Sequence, residues 1–359
     1  MKVEDSKALK EYQEKLKRAR CTGNLIDPDE SLTVRMNRIQ RAKNDVKYLV
    51  ETYLPHYATA DCADFQIAHA NKVMNDPIYK GYAEWGRGLA KSVWNDVIIP
   101  LWLWINGETH YMCIVSDTFD RACDLLEDLR AEFEANELLK HDFGEQYNPG
   151  YWEKGNFVTM NGFICKAFGA KQKVRGLRKG AHRPDLWVID DLETPQTIKN
   201  NRMQDDYADW IEADILATMT GKRRRLIGAN NRFASRMVQT LLKQRHPDWD
   251  WNLVKAYDPV TYEPAWKSMY SAQFYRQQEK DMGILAAHAE YNHVPLVKGR
   301  IFKPEMVKWG KLPDLHTMNA IVAHWDIAYA GTDTSDFNAC KIWGRHRNEF
   351  WLIDGFVKQ

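Results

Sequence analysis

The chain has 359 residues, with 50 Lys+Arg against 49 Asp+Glu and a formal net charge of +1 at pH 7. No global field therefore draws it to nucleic acid or to a membrane surface, and any DNA contact must come from a local patch. Aromatic residues make up 12 %, including 14 Trp, which excludes a disordered chain and supplies apolar mass for more than one domain. The six cysteines (Cys21, Cys62, Cys113, Cys123, Cys165 and Cys340) are scattered without a C-x-x-C pair, so reduced thiols are expected and neither a disulfide frame nor a zinc site. The N-terminus is too charged for a secretory signal. The most apolar run, Val97 to Ile105, contains Pro100 and is too short to span a bilayer. A soluble intracellular protein is expected.

The first 55 residues read as charged, amphipathic helix. Leu9, Tyr12 and Leu16 recur at helical spacing, as do Leu32, Met36, Ile39, Val46 and Val50, up to Leu54-Pro55. Asp64-Phe65-Gln66 opens a further short helix. Ile78 to Glu84 is rich in β-formers, and Val93 to Ile99 is a plausible helix start. Between them stands Trp85-Gly86-Arg87-Gly88-Leu89-Ala90-Lys91-Ser92. Strand, glycine loop, Lys-Ser and helix are the parts of a phosphate-binding loop: N–H groups and the helix N-terminus hold the anion, Lys reaches the outer phosphates and Ser ligates Mg²⁺. Trp85 and Ala90 stand where the usual pattern has glycine, so Gly86 and Gly88 are expected to supply the positive φ angles.

Beyond the loop, Thr109 to Val115 reads as a buried strand, with Ser116-Asp117 capping a helix that carries Ala122, Leu125, Leu126, Leu129 and Phe133. Phe157 to Met160 and Phe163 to Phe168 suggest a hairpin around Asn161-Gly162. Gly169 to Pro184 is a loop with Lys171, Lys173, Arg175, Arg178, Lys179 and Arg183 and no acid, suited to a nucleic-acid backbone or to a trans-acting Arg. Leu186 to Ile189 is an apolar strand running into Asp190-Asp191-Leu192-Glu193. A helix (Ile211, Ile215, Leu216, Met219) leads through Gly221 to strand Arg225 to Ile227 and to Gly228-Ala229-Asn230-Asn231-Arg232. Strands alternating with helices imply a parallel sheet covered on both faces, with ligands beyond the strands' carboxyl ends. Loops 86–92, 190–193 and 229–232 would converge there. Lys267 to Tyr291 reads as helix broken near Gly283, Pro295 to Leu315 as a linker, and Ala320 to Tyr329, Asn338 to Trp343 and Glu349 to Phe356 as the strands of a second domain.

In such a site Asp190, closing four apolar residues, is the natural carboxylate for the Mg²⁺ hydration shell. Asp191 is the first candidate to activate water and Glu193 the second. Arg87 is placed to stabilise γ-phosphate charge. Gln66 can read an adenine edge, and Asn230 and Asn231 can sense the γ-phosphate. In the second domain Asp326 sits among apolar strand residues, an expensive place unless paired or metal-bound. Asp333 and Asp336 follow in a turn. With only Glu349 and Asp354 beyond them, a two-metal set looks incomplete.

These residues resemble the large terminase subunit of tailed bacteriophages, an ATPase-nuclease that packages DNA into proheads. Arg87 to Ser92 is similar to the R-G-x-[GA]-K-[ST] variant of the phosphate loop. Val174-Arg175-Gly176-Leu177-Arg178 with Arg183 to Glu193 resembles the segment carrying the second ATPase motif. Gly299 to Lys303 followed by Trp309 resembles the interdomain linker, and His324 to Ala328 with Ser335-Asp336-Phe337 the opening of an RNase H-like nuclease. The resemblance implies an α/β P-loop NTPase fold: a helical segment at 1–60, an ATPase domain at 61–293, a linker at 294–318 and the start of the nuclease at 319–359. It implies ATP and Mg²⁺ as cofactors, with Gly86, Gly88, Lys91, Ser92, Gln66 and Asn230 at the nucleotide. Ser92 and Asp190 would hold the ATPase metal, and Asp326 and Asp336 a nuclease metal (Mg²⁺ or Mn²⁺). Arg87 would be an arginine finger, while Asp191 or Glu193 activates water. Double-stranded DNA, the portal protein and the small terminase subunit would be partners of a ring assembled on the portal, in the cytoplasm of an infected or lysogenic bacterium and away from membrane. The chain is expected to end before the later nuclease carboxylates. A P-loop helicase or repair ATPase, and a non-catalytic DNA-binding scaffold, are the rival readings.

Overall fold

A computed structural model describes residues 3–194, 196–294, 308–326, 338–347 and 349–358. The chain divides into two compact units, Met1–Leu296 and Val297–Gln359.

In the first unit, helices α1 (Val3–Ala19), α2 (Leu32–Asn44), α3 (Val46–Tyr53) and α4 (Asp64–Asn75) precede the first strand. The expected apolar stripe through the N-terminal helices is only partly buried. Val46 and Val50 lie in the core, whereas Leu32 and Met36 are 76 % and 59 % exposed. Charge holds α2 instead. Arg38 donates from Nε and Nη2 to the two oxygens of Asp142, both at 2.7 Å, and Arg35 pairs with the same carboxylate at 3.3 Å.

Strand β1 (Lys80–Trp85) leads through the glycine loop into a helix wound as π over Val93–Ile98 and as α5 over Ile99–Ile105. Pro100 explains the wide turn: it lacks an N–H, and its ring would clash with a carbonyl four residues back, which a π segment relieves. Then come β2 (Tyr111–Ser116), α6 (Phe119–Ala135), α7 (Glu137–Phe143), β3 (Trp152–Glu153), β4 (Asn156–Val158), β5 (Ile164–Gly169) and β6 (Leu186–Asp190). Helix α8 (Asn201–Trp210) continues through a π turn into α9 (Leu216–Thr218). It is followed by β7 (Arg225–Ala229), α10 (Val238–Arg245), β8 (Asp250–Val254), α11 (Ala272–Met282) and α12 (Ile284–Asn292).

The eight strands form one sheet in the order β3-β4-β5-β2-β6-β7-β1-β8. It is parallel from β5 to β8 and antiparallel across β3, β4 and β5. One core lies on the face with Ala83, Trp85, Ile114, Val188 and Ile227, the other on the face with Tyr82, Val115, Trp187, Ile189 and Leu226. The α/β class is thus as expected, and four details differ. Ser116 belongs to its strand, and Thr118 caps α6 by accepting from the Arg121 N–H at 3.2 Å. The helix expected from Lys267 begins at Ala272. Strands β3 and β8 are additional; β8 alternates Asp250, Trp251, Asn252 and Leu253, a pattern without a strong apolar run.

In the second unit β9 (Ala320–Asp326), β10 (Asn338–His346) and β11 (Glu349–Lys358) make an antiparallel sheet in the order β11-β10-β9. Most of the expected linker lies outside the described residues.

Candidate functional site

Strand order puts β7 between β6 and β1, so the carboxyl ends of three parallel neighbours carry Asp190, Ala229-Asn230 and Trp85-Gly86. Parallel register aligns them: Asp190 pairs with Ala229, and Ala83 with Ala229 on the other side. The three loops expected to converge therefore do so.

The glycine loop is braced from three sides. Gly86 N–H donates to Val254 O at 2.9 Å and Arg87 N–H to Glu290 O at 3.0 Å. Tyr270 Oη donates to Gly88 O at 3.1 Å, and Gln66 Nε2 to Leu89 O at 3.1 Å. Gly88 has φ +84° as expected, but the second left-handed residue is Ala90 (φ +61°), not Gly86. Gly86 is required for another reason: a Cβ there would collide with the carbonyl of Tyr291. Ala90 accepts the strain because its side chain is the smallest available at a positive φ. No acceptor among the described residues bonds to the N–H groups of Gly88 and Ala90, which leaves donors for an anion at the helix start. Lys91 makes no ion pair among the described residues.

Opposite Lys91 and Ser92 stands Asp190, with no exposed surface. Neither of its oxygens meets a protein donor in hydrogen-bond geometry, and the same holds for both oxygens of Asp96, in the π segment of the loop helix. Burial, then the Asp191 charge, raises the Asp190 carboxyl above its ordinary range; Lys91, Ser92 and Asp96 act in the opposite direction. Burial and the Asp190 charge raise Asp96 as well. The Asp190 charge beside it makes a second negative charge on Asp96 costly. Orphaned buried oxygens beside a hydroxyl are the donor set of a hard divalent cation. Ser92 and Asp190 fit Mg²⁺ on this ground. Asp96 was not anticipated; its only signal is an acid inside the apolar Val93 to Ile99 segment.

Asp191 takes a left-handed backbone (φ +48°), is half exposed, and lies 3.4 Å from Arg121 Nη2. Its charge is felt at Asp190, Asp96 and Arg87. Glu193 lies elsewhere. It is 6 % exposed, accepts from Gln204 Nε2 at 3.1 Å and Val238 N–H at 2.8 Å, and its charge acts on Tyr82 and Tyr207. Burial pushes its carboxyl up to about 7 against those two bonds and Arg236. The two water-activating candidates are therefore not equivalent, and Glu193 does not share the surroundings of Lys91.

Arg87 points to Glu290, with Nε 2.8 Å from Oε2. Glu290 also holds Asn231, whose Nδ2 donates to its carbonyl at 2.9 Å and lies 3.3 Å from its carboxylate. Asn230 is buried and donates its N–H to Ala83 O at 3.4 Å. Gln66, expected to read adenine, has both ends of its amide engaged within the protein: Oε1 accepts from Ala63 N–H at 2.9 Å, and Nε2 holds Leu89. It braces the loop rather than presenting a free edge. A cavity of about 240 Å³ does adjoin it, lined by Tyr57, Gly88, Ala90, Val93, Trp94 and Trp266 among others.

The basic loop after β5 is exposed except at Val174 and Pro184, which are buried, and at Ala170 and Leu177, which are half-buried. Arg175 pairs with Asp214, Lys171 Nζ donates to Asp206 O at 2.8 Å, and Lys179 sits 4.6 Å over the Tyr151 ring. In the second unit Asp326 is the last residue of β9 and is exposed, so the expected desolvation cost does not arise. Asp336 lies outside the described residues. Among the described residues the one cluster of metal-type ligands is Glu30, His141 and Asp142, and Arg38 already neutralises its two acids.

No protein-family model matches the chain, and no curated protein matches it. Among solved structures, the HK97 bacteriophage large terminase is similar over 82 % of this chain and 62 % of its own, at 12 % identity and a TM-score of 0.40. The large terminase of a thermophilic bacteriophage is similar over 83 % of this chain and 68 % of its own, at 10 % identity and a TM-score of 0.43. The ADP complex of that thermophilic terminase gives 11 % identity and a TM-score of 0.41. The chain thus spans less than two thirds of the length of the HK97 protein.

Proposed function

We propose that the first unit binds and hydrolyses ATP with Mg²⁺ and is the motor of a terminase-type machine that moves double-stranded viral DNA into a prohead. One observation carries the reading: Lys91 and Ser92, at the start of a helix behind a braced glycine loop, face a buried carboxylate with no protein donor, Asp190. The free N–H groups of Gly88 and Ala90 and the Lys91 ammonium bind phosphate oxygens. Ser92 and Asp190 hold the Mg²⁺, which when bound neutralises charge on the transferred phosphoryl group. Asp191 takes the proton of the attacking water, because its charge, unlike that of Glu193, acts on Asp190 and Arg87. The cavity lined by Tyr57 and Trp94 receives the adenine.

Arg87 exchanges Glu290 for the γ-phosphate, since a guanidinium binds either partner in the same way. That exchange releases the Glu290 carboxylate, and with it α12, from the Arg87 side chain, which gives hydrolysis a mechanical outlet. Double-stranded DNA runs over the basic loop 169–183, and the ring, portal and small-subunit contacts follow from the same reading. So does a role in cutting concatemeric DNA, with Asp326 and Asp336 as the first of the several carboxylates that a two-metal site needs. No helix among the described residues is long and apolar enough to cross a membrane.

ATP turnover measured with duplex and with single-stranded DNA, beside a strand-unwinding assay, separates this reading from a helicase. Stimulation by duplex without unwinding is expected. Unwinding driven by ATP would replace the motor by the helicase.

A further inference from the structure

On the sheet face away from the loop helix, β1 turns Tyr82 and Glu84 inward, as the alternation of strand side chains requires. Glu84 is 1 % exposed, and its Oε1 accepts from Nε2 of the equally buried Gln239 at 3.0 Å. Three oxygens there meet no partner among the described residues: Tyr82 Oη, Glu84 Oε2 and Gln239 Oε1. Tyr82 and Gln239 line a void of about 10 Å³ that Glu193 and Asn230 also border, room for a single water-sized body. The Tyr82 phenol is raised by burial and then by the charges of Glu193 and Glu84.

Every unpartnered atom of the set is an oxygen. Two are pure acceptors, one belongs to a carboxylate, and the lining contains no Lys or Arg. A buried carboxylate whose recorded partner is a neutral amide needs a compensating charge. An all-oxygen set selects hard cations. Mg²⁺ would have to keep several waters, for which there is no space. We infer that the void bordered by Tyr82, Gln239, Glu193 and Asn230, with the Glu84 carboxylate held behind Gln239 outside its lining, is a buried site for one monovalent cation of the size of Na⁺ or K⁺. The site ties the strand that carries the glycine loop to α10 and to the segment after β6. It lies on the opposite face from the nucleotide groups and does not depend on the ATPase reading.

Thermal unfolding of the whole chain in KCl, NaCl and tetramethylammonium chloride at matched ionic strength tests the site, because the last cation is too large to enter. A Tm higher by a few degrees in K⁺ or Na⁺ is expected, together with loss of that difference in Glu84→Gln. If that variant fails to fold, Tyr82→Phe keeps the stack on Trp251 but removes one oxygen, and should shrink the difference. Crystals soaked in thallous ion should show an anomalous peak between Tyr82 and Gln239. Equal Tm values in all three salts, or a salt difference unchanged in both variants, would overturn the site; a peak in the void without anomalous signal would assign it to water.

Discussion

Two buried acids separate the scaffold from the working edge of this protein. Asp142, at the end of α7, is surrounded by donors: Arg38 through two nitrogens, Tyr53 Oη at 2.5 Å, His141 and Arg35. Burial pushes its carboxyl up, but the bonds from Arg38, Tyr53 and His141 outweigh burial and hold it below the ordinary range. Asp190 is at least as buried, has no protein donor and is raised. The same side chain is satisfied where it fastens helices and left wanting where a ligand is due. Arg225 repeats the lesson at the amino edge of the sheet. Its guanidinium donates to the carbonyls of Val73, Met74, Asp76 and Glu108, closing the end of α4. No orphaned acid occurs on that edge among the described residues.

The comparison can be broken at either end. Asp191→Asn should lower ATP turnover about 100- to 10,000-fold, the range for loss of a general base, whereas Glu193→Gln should leave more activity; steady-state rates of the two variants decide. Asp142→Ala should destabilise the first unit by about 3 kcal/mol, because it leaves Arg38 with half its partners, as denaturant unfolding would show. Asp96→Asn should do the opposite and stabilise by about 1 kcal/mol at pH 8, since a neutral amide carries no charge to be buried beside Asp190. The sign follows from linkage. A carboxyl whose folded pKa is raised binds more protons folded than unfolded, so its stability contribution is greatest below the unfolded pKa and falls as pH rises to the folded one. The gain from Asp96→Asn must therefore shrink on acidification. Glu290→Ala, which frees the Arg87 guanidinium and leaves the bond from Asn231 to the main-chain carbonyl, should alter the KM for ATP only a few-fold.

Much of this edge was legible from residues in a row. Leu186 to Ile189 followed by two acids announces the buried strand β6, and Gly86 to Ser92 before an apolar segment announces the loop and helix start that follow β1. What was hidden depends on pairs far apart in the chain. Asp96 comes beside Asp190 only after β6 packs on the loop helix. Glu84 alternates with apolar neighbours like a solvent-facing residue, but β1 is covered on both faces. Gln66 looked like a free amide because its partner, the Leu89 carbonyl, is supplied by the loop's own bend. Ala90 and Gly86 exchanged expected roles for a similar reason: the approach of Tyr291, distant in sequence, decides where a side chain is excluded.

Binding and hydrolysis of Mg²⁺-ATP by the wild type and by Lys91→Ala, measured on one preparation of each, test the central claim most directly. Turnover in the wild type and its loss in the variant by about 100-fold or more, with unchanged thermal unfolding, is the predicted result. Equal turnover in the two proteins, or no nucleotide binding by either, would contradict it.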